Sequence, residues 1–281
     1  MRLLVTGARG LVGRAVGEHG RHSGDEVLSY EHKDLDITDR ALVRQTILDN
    51  RPDVVINCAA WTNVDACESD PKRAFTANAA GPENLASACK EAECVFITIS
   101  TDYVFDGKKP DFYTQLDEPN PQSVYAASKL EGERLSRATY GRSIVVRTGY
   151  IFGTGGTNFL STVVERIRKG EKLKTINDAY GTPTYVRDLA ERLRQLAEKD
   201  VPGIYHVVNS GPGVNFEQFT RRVVALIGNR EVVVEAVSAD ALNRPAKRPY
   251  NSRLRCLLTE KIGLPPLRDW EAALEEFVRT E

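Results

Sequence analysis

Short apolar runs alternate with longer mixed stretches through the first half of the chain. Residues 2–6, 26–30, 53–57, 95–99 and 143–147 are brief and dominated by Val, Ile and Leu. Runs of this length with apolar neighbours on both faces read as strands of a buried parallel sheet. The stretches between them read as helices. The first runs to about residue 24, and the second from a Thr38 or Asp39 cap to about residue 50. A third starts at Asp70 and Pro71, carries Phe75, Leu85 and Ala86, and reaches about residue 92. Asn78 lies inside it, where propensity disfavours Asn, and so reads either as a buried hydrogen-bonding group or as an exposed one. Strand and helix in regular alternation predict an α/β fold on a doubly wound parallel sheet.

Past Gly153 the alternation stops. Helices are expected over 158–169, 187–199, 216–227 and 270–278, with strands over 204–208 and 232–234. A basic, proline-broken loop fills 243–253. The change of pattern predicts a smaller mixed C-terminal lobe. One domain then spans 1–148, with 184–210 returning to it, and the second comprises 149–183 and 211–281. No internal repeat or low-complexity tract interrupts either.

Composition narrows the function classes. The 281 residues carry 38 Lys and Arg against 39 Asp and Glu, which gives no basic excess for a nucleic-acid partner. No apolar run approaches the roughly 20 residues that cross a bilayer, and the first residues are too short an apolar stretch for a secretion signal. The five cysteines include no CxxC pair, and the four histidines fall outside any ligand spacing with them. Reduced thiols in a cytoplasmic protein without a metal are expected.

The chemistry begins directly after the first strand. Gly7, Gly10 and Gly13 are spaced GxxGxxG between a strand and a helix, the context that makes a glycine motif a dinucleotide site. Gly7 permits the tight turn, Gly10 the approach of a pyrophosphate, and Gly13 close packing of helix on strand. Arg9, Leu11 and Val12 complete the loop, whose amides meet phosphate at the helix start. At the end of the second strand, Glu31 is placed to hold ribose hydroxyls. Alternatively, Arg9, His32 and Lys33 surround a 2′-phosphate, which favours NADPH over NADH; ordinary solvated surface is the competing reading. Asp36, with Ile37, is a candidate adenine contact or a plain turn carboxylate. The small residues Ala59, Ala60 and Thr62 after the third strand leave room for a coenzyme.

The second piece of chemistry follows the fourth strand. Ser100, Thr101, Asp102 and Tyr103 form a hydroxyl-rich turn at the carboxyl end of that strand, where such sheets bind ligands. A polar loop over 108–122, broken by three prolines, leads to Tyr125 and Lys129. On a helix these two share a face. An ammonium beside a phenol stabilises the phenolate, so Lys129 is expected to lower the Tyr125 pKa and fit it for proton exchange with a ketone or alcohol. The alternative is a core tyrosine with a nearby surface lysine.

Taken in order, these stretches resemble the extended short-chain dehydrogenase/reductase family, and within it the dTDP-4-dehydrorhamnose reductases. The likeness covers Gly7 to Gly13, residues 59–65, 100–105, 125–129, 147–150, 180–184 and 248–254. It implies a Rossmann-type coenzyme domain, a nucleotide-sugar substrate in a cleft between lobes, and NADPH or NADH as coenzyme. Tyr125 would protonate the C4 oxygen of the sugar. Lys129 would hold the nicotinamide ribose, and Thr101 would orient the reacting oxygen. Asp102, Tyr103, Tyr150, Arg248, Asn251 and Arg253 would contact the sugar nucleotide, an Arg fork suiting a diphosphate.

Two positions depart from the resemblance. Tyr150 stands where members of the group often carry Trp, which keeps an aromatic wall. Ala15 stands where some members carry a Glu that bridges a homodimer through magnesium, so a homodimer is a possibility without that metal. The competing functions are a regulatory subunit similar to the methionine adenosyltransferase beta subunit, and a reductase, epimerase or dehydratase of another nucleotide keto-sugar. A dehydratase needs an acid beside the catalytic hydroxyl; Asp102 is there, but no Glu is.

Overall fold

The computed structural model describes residues 1–229 and 231–281. The first half runs β1 (Arg2–Thr6), α1 (Leu11–His22), β2 (Glu26–Tyr30), α2 (Arg40–Asn50), β3 (Val54–Asn57), α3 (Val64–Ser69), α4 (Pro71–Phe75), α5 (Gly81–Ala92), β4 (Val95–Thr101), α6 (Val124–Thr139) and β5 (Ser143–Thr148). The second half runs β6 (Ile151–Phe152), α7 (Phe159–Arg168), β7 (Leu173–Ile176), β8 (Tyr180–Gly181), β9 (Thr184–Tyr185), α8 (Val186–Lys199), β10 (Gly203–His206), β11 (Val214–Asn215), α9 (Phe216–Ile227), β12 (Val234–Val237) and α10 (Trp270–Thr280).

Six strands form one parallel sheet in the order β10-β5-β4-β3-β1-β2. Side chains alternate across it, as the two-residue period of a strand requires. Leu3, Val5, Ile56, Ile97 and Val146 pack against α1 and α8 through Val16, Leu189, Leu193 and Leu196. Leu4, Val55 and Phe96 face the other way, against Val43 and Ile47 of α2 and Leu85 and Cys89 of α5. The strand order reverses between β1 and β3, so the chain leaves the sheet in opposite directions there and a crevice opens at the carboxyl ends.

The remaining elements enclose a separate apolar core. Phe152 is its centre: its ring lies 5.3 Å from Tyr185, 5.3 Å from Phe219 and 5.5 Å from Phe277. Truncating so buried an aromatic costs about 3–5 kcal/mol. β7 pairs with β12 beside this core. That pairing moves the last strand to Val234–Val237, downstream of the 232–234 expected, because it is register with Leu173–Ile176 that selects the residues. The strand expected over 204–208 is likewise limited to Gly203–His206 by its pairing with β5.

The helix expected from residue 70 to 92 is not uniform. α4 and α5 are joined by a π-helical turn over Thr76–Ala80. Asn78 is the cause. Its Oδ1 accepts from the Trp61 amide at 2.8 Å, and its Nδ2 donates to the Trp61 carbonyl and to Ser128 Oγ at 3.0 Å each. A π turn is a common device for aiming one side chain out of the α-helical register. Gly132 on α6 allows the close approach, since a Cβ there would lie 2.1 Å from the Asn78 carbonyl oxygen. Among the described residues, no helix is long and apolar enough to cross a membrane.

Candidate active site

The turn after β1 is shaped by what its glycines lack. Gly7 has φ of +62°, and a Cβ on it would lie 2.6 Å from the Ala59 amide nitrogen. A Cβ on Gly13 would sit 2.3 Å from the Gly7 carbonyl oxygen. The loop is therefore wound tightly against the end of β3, with the free amides of α1 at its mouth. That arrangement fits a dinucleotide pyrophosphate.

Two cavities meet at this loop. One, of about 670 Å³, is lined by Gly7, Gly10, His32, Asp36, Ile37, Ala59, Ala60 and Trp61. The other, of about 600 Å³, is lined by Arg9, Gly10, Leu11, Val12, Gly13, Ala59, Ala60, Thr62, Thr101, Asp102, Tyr103, Tyr125, Lys129 and Tyr150. Gly10, Cys58, Ala59 and Ala60 border both, so a dinucleotide would lie across them with adenosine on one side and nicotinamide on the other. Glu31 sits 3.7 Å from both Arg9 and Lys33, so the acid and the bases proposed as alternatives form one cluster. Asp36 lines the first of these cavities, but its carboxylate also accepts from the Thr38 amide and hydroxyl at 2.9 and 2.8 Å.

Tyr125 and Lys129 lie on α6, whose first turn is capped by Ser123. Tyr125 meets Tyr103 edge-on, with ring centroids 6.4 Å apart. Lys129 Nζ donates to the Ile99 carbonyl at 2.7 Å. This corrects one expectation about the pair. Burial is the main influence on the Tyr125 phenol and pushes its pKa up, and the neighbouring Thr101 hydroxyl opposes it. Lys129 is fastened to the strand, and burial brings its own pKa down to about 8.

Asp102 is buried beside them. Its pKa is pushed up to about 6 by desolvation, against hydrogen bonds from Ser252 and Thr101. Tyr150 adopts φ of +48°, unusual for a bulky residue, and turns its ring onto Phe216 at 4.7 Å while its hydroxyl donates to the Ala179 carbonyl. Tyr103, Tyr150 and Phe216 also border a third cavity, of about 710 Å³, lined by Arg244, Lys247, Arg248 and Tyr250.

Arg248 thus reaches the extended cleft, held there by Asp65 through bonds of 3.0 and 2.9 Å. Asn251 and Arg253 do not. Asn251 is buried and donates to the carbonyls of Lys109 and Asp111, while its Oδ1 accepts from Arg253 Nε at 2.8 Å. Arg253 turns outward over Phe112 and Tyr180 and donates to the Pro110 carbonyl. Their bonds tie this loop to the backbone of residues 109–111. Sequence reasoning missed Arg244, which lines the cavity from the same loop. Asp65 was legible only as a motif residue without a partner. Among the described residues, no group of three or more His, Cys, Asp or Glu side chains is placed to hold a metal.

Phosphate amides at one end of a crevice and a phenol, an ammonium and a hydroxyl at the other are the working parts of an extended short-chain dehydrogenase/reductase. The chain matches the RmlD substrate binding domain over residues 1–281. It is 40% identical to a dTDP-4-dehydrorhamnose reductase of Mycobacterium tuberculosis, over 97% of this chain and 91% of that one. Among solved structures, a dTDP-4-dehydrorhamnose reductase of Clostridium acetobutylicum superposes with a TM-score of 0.94 at 36% identity, covering 100% of this chain and 99% of that one. A dTDP-4-dehydrorhamnose reductase of Bacillus anthracis, solved in complex with NADP, superposes with a TM-score of 0.95 at 32% identity over 100% and 99% of the two chains. This chain belongs to the dTDP-4-dehydrorhamnose reductase family.

Proposed function

We propose that the protein reduces the C4 ketone of dTDP-4-dehydro-L-rhamnose to the alcohol of dTDP-L-rhamnose, using NADPH or NADH. The observation that carries this reading is the convergence of Thr101, Tyr125 and Lys129 on the cavity that also borders the glycine loop. The bound coenzyme supplies the hydride that converts the ketone carbon into an alcohol carbon. Tyr125 gives its phenolic proton to the ketone oxygen, and Thr101 donates a hydrogen bond that aims this oxygen. Lys129 holds the ribose hydroxyls from its place beside the end of β4.

The loop amides of Leu11, Val12 and Gly13, with Arg9, take the pyrophosphate, while Asp36 and Ile37 meet the adenosine. Ala59, Ala60 and Thr62 give the coenzyme its resting surface. The sugar lies against Asp102, Tyr103 and Tyr150, and its nucleotide extends into the cavity of Arg244 and Arg248. Residues 1–148 with 184–210 form the coenzyme-binding domain in this reading, and 149–183 with 211–281 the substrate lobe. Work in the cytoplasm suits the free cysteines.

The test is consumption of NADPH, then of NADH, with dTDP-4-dehydro-L-rhamnose, with other nucleotide keto-sugars in parallel. Faster turnover of another keto-sugar, or none of any, overturns the assignment.

A further inference from the structure

We propose that Glu133 is a positioning residue for Thr101 and Lys129, acting from beneath the cleft with Arg147 as its counter-charge; the proposal rests on the reductase reading above. Tyr125, Lys129 and Glu133 follow one another at four-residue spacing on α6, and so form one stripe toward the sheet. The end of β4 answers that stripe residue by residue. The Ile99 carbonyl accepts from Lys129 Nζ at 2.7 Å, Ser100 Oγ donates to Glu133 Oε1, and Thr101 lines the cleft. Arg147 on β5 closes the set with bonds of 3.0 Å to Oε1 and 2.7 Å to Oε2 of Glu133. Glu133 and Arg147 are each only 3% exposed.

Stability alone does not account for a buried ion pair. Apolar residues of similar volume hold such interfaces at no loss, and often with a gain. What they cannot do is accept the Ser100 hydroxyl or place a negative charge one turn from an ammonium. The groups that face Lys129 are Glu133 on its own helix and the Cys58 thiol at the end of β3. Burial holds that thiol neutral up to about pH 12. Glu133 is therefore the anion that favours the charged form of Lys129, while its bond to Ser100 fixes the strand end on which Thr101 sits.

The experiment uses the full chain with Glu133→Gln, Ser100→Ala and Glu133→Gln/Arg147→Gln. NADPH affinity is read by fluorescence from pH 6 to 10, and kcat and KM are measured on the keto-sugar. Glu133→Gln is expected to move the alkaline limb of NADPH binding down by at least about half a pH unit, and to lower kcat about 10-fold with little change in KM. Ser100→Ala keeps both charges and is expected to lower kcat a few-fold, with the limb unmoved. An unmoved limb and a kcat within about 2-fold of wild type in Glu133→Gln overturn the proposal. If that variant does not fold, the doubly neutral pair is held to the same criteria. If neither folds, an unchanged kcat in Ser100→Ala overturns it. Should wild type reduce no keto-sugar, the reductase reading fails separately, and the NADPH limb still judges the action of Glu133 on Lys129.

Discussion

Lys129 Nζ and the Ile99 carbonyl oxygen are 2.7 Å apart, so the ammonium of α6 is tied to the strand that ends in Thr101 and not to the phenol one turn before it. Burial lowers the Lys129 pKa to about 8. The charged form is complete below that value and is lost as pH rises through it. The Lys129 contribution to NADPH affinity is therefore expected to be flat from pH 6 to 7 and to weaken above about pH 8. Lys129→Met is expected to bind weakly at every pH and to show no limb. A fluorescence titration in which both proteins give parallel profiles would remove Lys129 from coenzyme binding.

Tyr125→Phe is expected to lower kcat by about 10²–10⁴-fold, the usual contribution of a positioned proton donor. Its NADPH affinity is expected to stay within a few-fold of wild type, because the ring keeps its edge contact with Tyr103. Stopped-flow reduction at saturating coenzyme checks the first expectation and equilibrium binding the second. A rate near wild type would defeat the donor assignment.

Asp65 belongs to α3 beside the coenzyme cavity, yet it holds Arg248 and the Ala246 amide of the substrate-side loop. Asp65→Ala is expected to raise the KM for the nucleotide sugar about 10-fold while NADPH affinity holds, since Arg248 then loses the carboxylate that aims it at the cleft. The same variant should leave Arg248 free, and an unchanged KM would show that the Asp65 tether is not needed for substrate binding.

His206 is buried under Phe105, with Nδ1 between the carbonyls of Tyr113 and Arg255 and Nε2 without a partner among the described residues. Desolvation, aided by Arg147, depresses its pKa to about 3. The unfolded chain binds this proton near pH 6.5 and the folded chain does not, so stability is present above about pH 6.5 and is lost as pH falls toward 3. His206→Gln is expected to flatten that loss by a few kcal/mol between about pH 7 and 4, measured by urea unfolding. Parallel pH profiles for the two proteins would contradict it.

Asp102 works in the opposite sense. Its folded pKa of about 6 exceeds the ordinary 3.8, so the folded chain holds a proton that the unfolded chain releases. Stability from this group is present below about pH 4 and is lost as pH rises through 6. Asp102→Asn is expected to gain on wild type by about 1–3 kcal/mol between pH 4 and 7, less whatever the lost acceptor for Ser252 costs. Chemical denaturation at both pH values reads this difference directly.

The coenzyme half was legible because its signals are local. A strand, a glycine turn and a helix declare themselves within a few residues, and Asp39 and Ser123 cap the helices they precede. The site was legible as residue types, less so as contacts. Asn251 and Arg253 stand in a motif with Arg248, but only the folded loop reveals that they bind backbone carbonyls and each other. Lys129 and Tyr125 share a helix face, which spacing alone showed. That the Ile99 carbonyl would accept the lysine's hydrogen bond depended on how closely β4 and α6 approach, a distance no spacing rule contains. Residues 232–234 and 236–237 are all apolar on either side of Glu235, so the strand bounds were decided by their pairing with β7.

The π turn at Thr76–Ala80 holds one residue more than a plain helical turn would, and that surplus puts Asn78 between Trp61 and Ser128. Shortening the chain by a single residue there would give a smoother helix and swing the amide roughly 100° around its axis. The Trp61 wall of the cavity that also holds His32 and Asp36, and the helix bearing the phenol, would then lose their common strut. Both the length of this segment and the amide at position 78 thus serve the same brace, and losing either would leave those two parts without it.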